Sequence, residues 1–165
     1  MNASVHVDTA AALREVLAEA IPDLHRLCRD PWTLIGSAAA RLAGAEVAVA
    51  DLDVLTSVRD AESLVGHWRA RRDDAYVPRG EERFRSRFAR FRFPGLPVEV
   101  MGGLELSGER GWEPVRVDRI VMLDAGGFAV PIPAVLEQIR VLESFGRPKD
   151  LQRAALLKRL SGERQ

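Results

Sequence analysis

Cysteine is almost absent from this sequence. Cys28 stands alone among 165 residues, so neither an internal disulfide nor a cysteine-based zinc cluster can form, and a reducing setting is the simplest one. An excess of charge of either sign is absent too. Twenty-four basic residues balance twenty-four acidic ones, so nothing global draws the chain to nucleic acid or anionic membrane, and any phosphate-binding surface must be local. No apolar run approaches the ~18 residues a membrane span needs. Residues Met1 to Asp8 lack the basic-then-apolar layout of a secretory leader. Internal repeats, low-complexity tracts and linkers are missing as well. The expectation is a cytoplasmic protein without membrane partners. Its hydrophobic fraction of 47% serves one domain over residues 1–165, with a core spanning about 32–155.

What is present is an alternation of strand and helix signals. Asp8 and Thr9 are placed to cap a helix to about Cys28, with Leu13, Val16, Leu17, Ala20, Leu24 and Leu27 at helical spacing. Pro22 predicts a kink or break in it. Trp32 to Ile35 reads as a short buried strand that ends at Gly36-Ser37, and Ser37 suits the cap of a small-residue helix over Ala38–Leu42. Ala48–Thr56 reads as a second buried strand. Asp60 is placed to cap a helix to about Arg72. Phe84 and Phe88 share one strand face while Phe91 and Phe93 fall on the other, which predicts a bulged strand over 83–93, or alternatively a helix. Pro97–Leu106 and Val115–Leu123 are further strands, with Gly102-Gly103 marking a bulge or a close backbone approach. Phe128–Ile132 is short and extended. Pro133 suits the first turn of a helix with Val135, Leu136, Ile139 and Leu142 inward, and a last helix runs from Lys149 to Leu160. The class expected is α+β, a mixed β-sheet flanked by helices.

Within that frame two carboxylates draw attention. Asp51 and Asp53, two apart on one strand, project from the same face among the apolar Leu52, Val54 and Leu55. Like charges crowded on a buried strand are costly unless something cationic compensates them. Hard oxygen donors side by side suit Mg²⁺ or Mn²⁺. The alternative is a pair of solvated acids on an edge strand. A second element is Gly36-Ser37 between strand and helix, where exposed backbone N–H groups bind phosphate well, although a plain turn has the same composition.

Together these elements resemble a known signature. Ile35-Gly36-Ser37, thirteen residues, then Asp51-Leu52-Asp53-Val54 is similar to the motif of the polymerase-beta-like nucleotidyltransferase superfamily. The resemblance implies that the Gly36-Ser37 turn holds a triphosphate and that Asp51 and Asp53 bind metal. It also implies a third carboxylate on a later strand, a slot that Val98-Glu99-Val100 fits, with Glu in place of the commoner Asp. Gly146-Arg147-Pro148-Lys149-Asp150-Leu151 resembles the opening of the last helix in stand-alone bacterial members, the relatives of aminoglycoside nucleotidyltransferases and of abortive-infection toxin-antitoxin nucleotidyltransferases. There the lysine sits near the nucleotide phosphates, a place Lys149 would take.

The activity so implied is metal-dependent transfer of a nucleoside monophosphate from a nucleoside triphosphate, such as ATP, to a hydroxyl of a small molecule, protein or RNA. The catalytic and metal-binding residues expected are Asp51, Asp53 and Glu99, with Gly36, Ser37 and Lys149 on the nucleotide and Mg²⁺ or Mn²⁺ as the cofactor. The alternative is a protein of the same fold that binds nucleotide or a partner protein without turnover, as in one half of a toxin-antitoxin pair. Other chemistries find little footing. His6, His25 and His67 share no ligand spacing, Cys28 has no His or basic partner that marks it as a nucleophile, and no nucleophile elbow occurs. The five arginines from Arg83 to Arg92 fit the solvated side of a strand better than a single-strand nucleic-acid grip.

Overall fold

The computed structural model describes residues 2–78 and 82–163. Its first helix, α1 (Asn2–Leu27), begins before Asp8 and runs on through Pro22. Leu13, Val16, Leu17, Ala20, Ile21 and Leu24 form its buried stripe. Pro22 lies on the exposed side, where its missing N–H costs a hydrogen bond but its ring meets no packed neighbour. Burial on either side of the proline therefore keeps one helix where the sequence predicts a break.

The main sheet contains β1 (Thr33–Ile35), β2 (Leu52–Thr56), β3 (Phe84–Phe91), β4 (Val98–Gly108) and β5 (Gly111–Pro114). Its order is β1-β2-β4-β3, with β5 paired to the later half of β4. Only β2 and β4 run parallel, joined by a connection that holds α3 (Val58–His67), a 3-10 turn (Arg69–Arg71) and β3. The sheet is therefore mixed, as expected. A separate hairpin, β6 (Ile120–Ala125) and β7 (Phe128–Pro133), turns at Gly126-Gly127. It packs β7 against β1, where Thr33 Oγ1 donates to the Pro131 carbonyl at 3.1 Å.

Alternation along the strands sends side chains to two covered faces. Val54, Val98, Val100 and Phe91 pack under α1 and α3 in the largest apolar cluster. On the other face Ile35 and Leu104 meet Val141 and Phe145 of α4 (Val135–Phe145). A third cluster joins α2 (Gly36–Leu42), α4 and α5 (Pro148–Glu163) through Ala40, Leu142 and Leu157. With helices on both faces, the aromatic residues of β3 need no flip. Phe91 faces one apolar layer and Phe84 the other.

The bulge sits on the partner strand. Arg85 pairs with Glu105 and Arg87 with Gly102, so Gly103 and Leu104 of β4 stand opposite Ser86 alone. Gly103 takes φ +62°, and a Cβ on Gly102 would lie 2.6 Å from that of Ala61 in α3. The Gly102-Gly103 pair thus provides both a bulge and a close helix approach.

Several termini differ from expectation. Ser57, not Asp60, caps α3 and accepts the Asp60 N–H at 3.2 Å. Asp60 instead turns inward and accepts the N–H groups of Arg29 and Asp30, both at 2.9 Å. Helix α2 starts at Gly36 rather than after Ser37, with no side-chain cap. Pro133 ends β7, and Ala134 is the N-cap of α4. Leu136, expected inside, is 70% exposed, and Leu151 of α5 is 48% exposed. Among the described residues no helix is long and apolar enough to cross a membrane.

Candidate active site

Strand β2 pairs with β4 so that Asp53 lies beside Glu99. The alternation that buries Val98 and Val100 in the core turns Glu99 to the other face. Asp51 precedes the first residue of β2, a shorter strand than Ala48–Thr56, yet its carboxylate reaches the same point. One oxygen from each of Asp51, Asp53 and Glu99 lies within 4.8 Å of the others. Neighbouring strands thus bring together residues 46 positions apart in sequence (99 − 53 = 46).

Crowding has electrostatic consequences. Burial pushes the Asp53 carboxyl well above its ordinary range, and the charges of Asp51 and Glu99 add to the push. Glu99 is raised for the same two reasons, burial first and Asp51 second, while Arg90 pulls it back. A cluster of carboxylates this close is poorly solvated and hard to ionise in full. A divalent cation would remove that penalty, and three hard oxygens converging on one point fit Mg²⁺ or Mn²⁺.

One cation already sits there. Arg90 of β3 is the register partner of Glu99, so Asp53, Glu99 and Arg90 form a row across three strands. Its guanidinium pairs with Glu99 and lies 3.8 Å from both Asp51 and Asp73. The Tyr76 ring lies beneath it, 4.3 Å from ring centre to guanidinium carbon. Sequence reasoning missed Arg90 because nothing local distinguishes it from its neighbours. Arg85 pairs with Glu105 and Arg92 with Asp73, as expected for the polar side of a strand.

The carboxylates open into a cavity of about 570 Å³. Ile35, Gly36 and Ser37 border it at the end of β1. Gly36 has φ +72°, and a Cβ there would overlap Asp53 Oδ2, so only glycine lets the turn lie against the carboxylate. Lys149 lines the same cavity from α5, together with Arg153 one turn later. Arg153 was within reach of the sequence, since it shares a helix face with Lys149. Asp150 is 1% exposed and accepts two hydrogen bonds from the Arg147 guanidinium, at 2.6 and 3.1 Å. It fixes Arg147 against the Phe84 ring, 5.1 Å away. All six residues singled out in the sequence, Asp51, Asp53, Glu99, Gly36, Ser37 and Lys149, therefore border one cavity.

His25 and Cys28 lie elsewhere. His25 contacts the Ala129 carbonyl at 2.6 Å and Trp32 edge to face. Burial, then Asp60, pushes the Cys28 thiol up to about 12, far from a nucleophile's range.

No protein-family model and no curated protein sequence matches the chain. Solved structures do. A Thermotoga maritima protein provisionally assigned as a nucleotidyltransferase superposes with a TM-score of 0.67 at 22% identity, over 90% of this chain and 92% of that one. An antigenic nucleotidyltransferase-like protein from Paracoccidioides brasiliensis gives a TM-score of 0.56 at 15% identity, over 92% and 78%. The lincosamide antibiotic adenylyltransferase LnuA, bound to lincomycin, gives 0.56 at 12% identity, over 87% and 96%. The fold they share with this chain is the nucleotidyltransferase fold.

Proposed function

We propose that this chain of nucleotidyltransferase fold transfers a nucleoside monophosphate from a nucleoside triphosphate to a hydroxyl group. The observation that carries the reading is the meeting of Asp51, Asp53 and Glu99 oxygens within 4.8 Å at the head of a cavity. Asp51, Asp53 and Glu99 would hold Mg²⁺ or Mn²⁺, which would acidify the acceptor hydroxyl and neutralise charge on the leaving pyrophosphate. The Gly36-Ser37 turn offers backbone N–H groups and a hydroxyl to the triphosphate. Lys149 and Arg153 add positive charge on the same side of the reaction. Glu99 would receive the proton of the acidified hydroxyl. The acceptor oxygen then bonds to the α-phosphorus as the bond to pyrophosphate breaks. Most of the rate enhancement would come from positioning and fixed charge.

The test is a set of thermal melts of wild type and Asp53→Asn, with and without Mg²⁺ and each nucleoside triphosphate. Wild type is expected to gain stability with both ligands present, about 2.7 kcal/mol at a hundredfold excess over Kd. Asp53→Asn is expected to lose most of that gain yet to melt no lower than wild type in the ligand-free state, because the substitution removes a crowded charge. A rise in both proteins, or in neither with any nucleotide, would overturn the metal–nucleotide assignment. A rise in wild type without release of pyrophosphate for any hydroxyl compound would leave a nucleotide-binding protein of this fold.

A further inference from the structure

We infer that the apolar wall of the cavity receives the acceptor, and that this acceptor is a neutral or anionic hydroxyl compound with an apolar body, not a polycation. The inference rests on the nucleotidyl-transfer reading for its word "acceptor"; the binding site itself stands on the wall.

That wall is built from two strands and a helix. Phe88 and Met101 are register partners on β3 and β4, one step along the same face from the Arg90–Glu99 pair. A ligand lying on them reaches the carboxylates from the β3–β4 side. The groups suited to phosphate, Gly36, Ser37, Lys149 and Arg153, come from α2 and α5 instead. Leu104 and Phe145, both 5% exposed, form the floor. Phe84 meets Phe145 edge to face at 5.0 Å, and Tyr76 stacks on Phe88 at 5.9 Å with 29° between the rings. Apolar surface of this kind favours an apolar partner.

Charge decides what else can enter. Four lining residues are basic: Arg85, which pairs with Glu105, Arg147, which pairs with Asp150, and Lys149 and Arg153 on α5, which make no comparably close ion pair among the described residues. The lining acids are Asp51, Asp53 and Glu99, which face one another, and Asp150, which is 1% exposed and spent on Arg147. With a divalent cation on the first three, no lining carboxylate among the described residues remains to meet an ammonium group. A polycationic amino sugar would face the charges of Lys149 and Arg153, whereas a neutral or anionic ligand would not be repelled.

The probes are 2-naphthol, a neutral flat hydroxyl compound, and kanamycin, a polycation. Each is titrated by equilibrium dialysis into the full chain in Mg²⁺, and Mg²⁺–ATP is titrated separately by calorimetry. Wild type should bind 2-naphthol at least tenfold more tightly than kanamycin. Phe88→Ala should weaken 2-naphthol at least tenfold, and Phe88→Tyr should restore it; Phe88 is half-buried, outside the main core. ATP affinity should stay within twofold in both. Lys149→Ala should do the reverse. Kanamycin binding more tightly, no 2-naphthol binding to wild type, or a Phe88→Ala loss confined to ATP would each overturn the inference. The last result would make the wall a nucleobase seat. Should 2-naphthol bind in this Phe88-dependent way while no triphosphate binds, the transfer reading fails and the apolar site survives.

Discussion

At the scale of single residues, the site shows how a backbone conformation and a charge depend on each other. Gly36 takes φ +72° where its missing Cβ leaves room for Asp53 Oδ2. Alanine at this position would meet both the left-handed backbone penalty and the carboxylate. Gly36→Ala is therefore expected to cost about 1–3 kcal/mol, measured by urea unfolding, and to weaken Mg²⁺ binding because Asp53 must move. A substitution that lowers stability while leaving Mg²⁺ titration unchanged would mean that Asp53 does not depend on the turn. Arg90 illustrates the opposite case. Its identity is ordinary, and its importance comes wholly from the strand pairing that places it beside Glu99.

Among the elements, α1 and the β7–α4 junction offer the clearest physical tests. Helix α1 carries Pro22 on its exposed side within a continuous buried stripe. Pro22→Ala restores an N–H that the helix can use, so a gain of up to about 3 kcal/mol is expected in unfolding experiments. No gain would mean that the proline stiffens the unfolded chain enough to offset its cost. At the start of α4, Glu137 accepts hydrogen bonds from Arg140 at 2.9 and 3.0 Å and from the Asp118 N–H at 2.8 Å. Arg140 first, then the Asp118 N–H, holds its carboxyl down to about 2. A carboxyl depressed in the folded state stabilises above its ordinary range near pH 4.5 and loses that contribution as pH falls toward 2. Melts of wild type and Glu137→Gln between pH 7 and pH 2 should therefore converge at the acid end. A gap that stays constant with pH would refute the linkage.

For the molecule as a whole, the site depends on packing far from it. Helix α5 carries Lys149 and Arg153, yet it is anchored by Leu157, fully buried against α2 and α4. Leu157→Ala is expected to lose about 2–5 kcal/mol of stability and, by loosening α5, to weaken triphosphate binding more than Mg²⁺ binding. Calorimetry on the folded variant reads the two affinities separately; equal losses would place the damage in the sheet rather than in α5.

Much of this protein was written in local sequence. Asp51 and Asp53 are two apart, so any extended backbone puts them on one face. Gly36-Ser37 between a strand and a small-residue stretch specifies a turn. Gly102-Gly103 marks a bulge or a close backbone approach whatever the partner strand is, and balanced charge with a single cysteine excludes whole classes of site. Spacing of this kind is a property of backbone geometry, and geometry over a few residues survives in any fold. What only the tertiary structure decided is which distant residues meet. Parallel register set Glu99 beside Asp53, and antiparallel register set Arg90 beside Glu99. Packing on both sides of Pro22 kept α1 whole, and the docking of α5 on α2 and α4 turned Lys149 and Arg153 into one cavity. Those outcomes arise from the burial of surfaces that lie tens of residues apart, where no local pattern records which surface will be the partner.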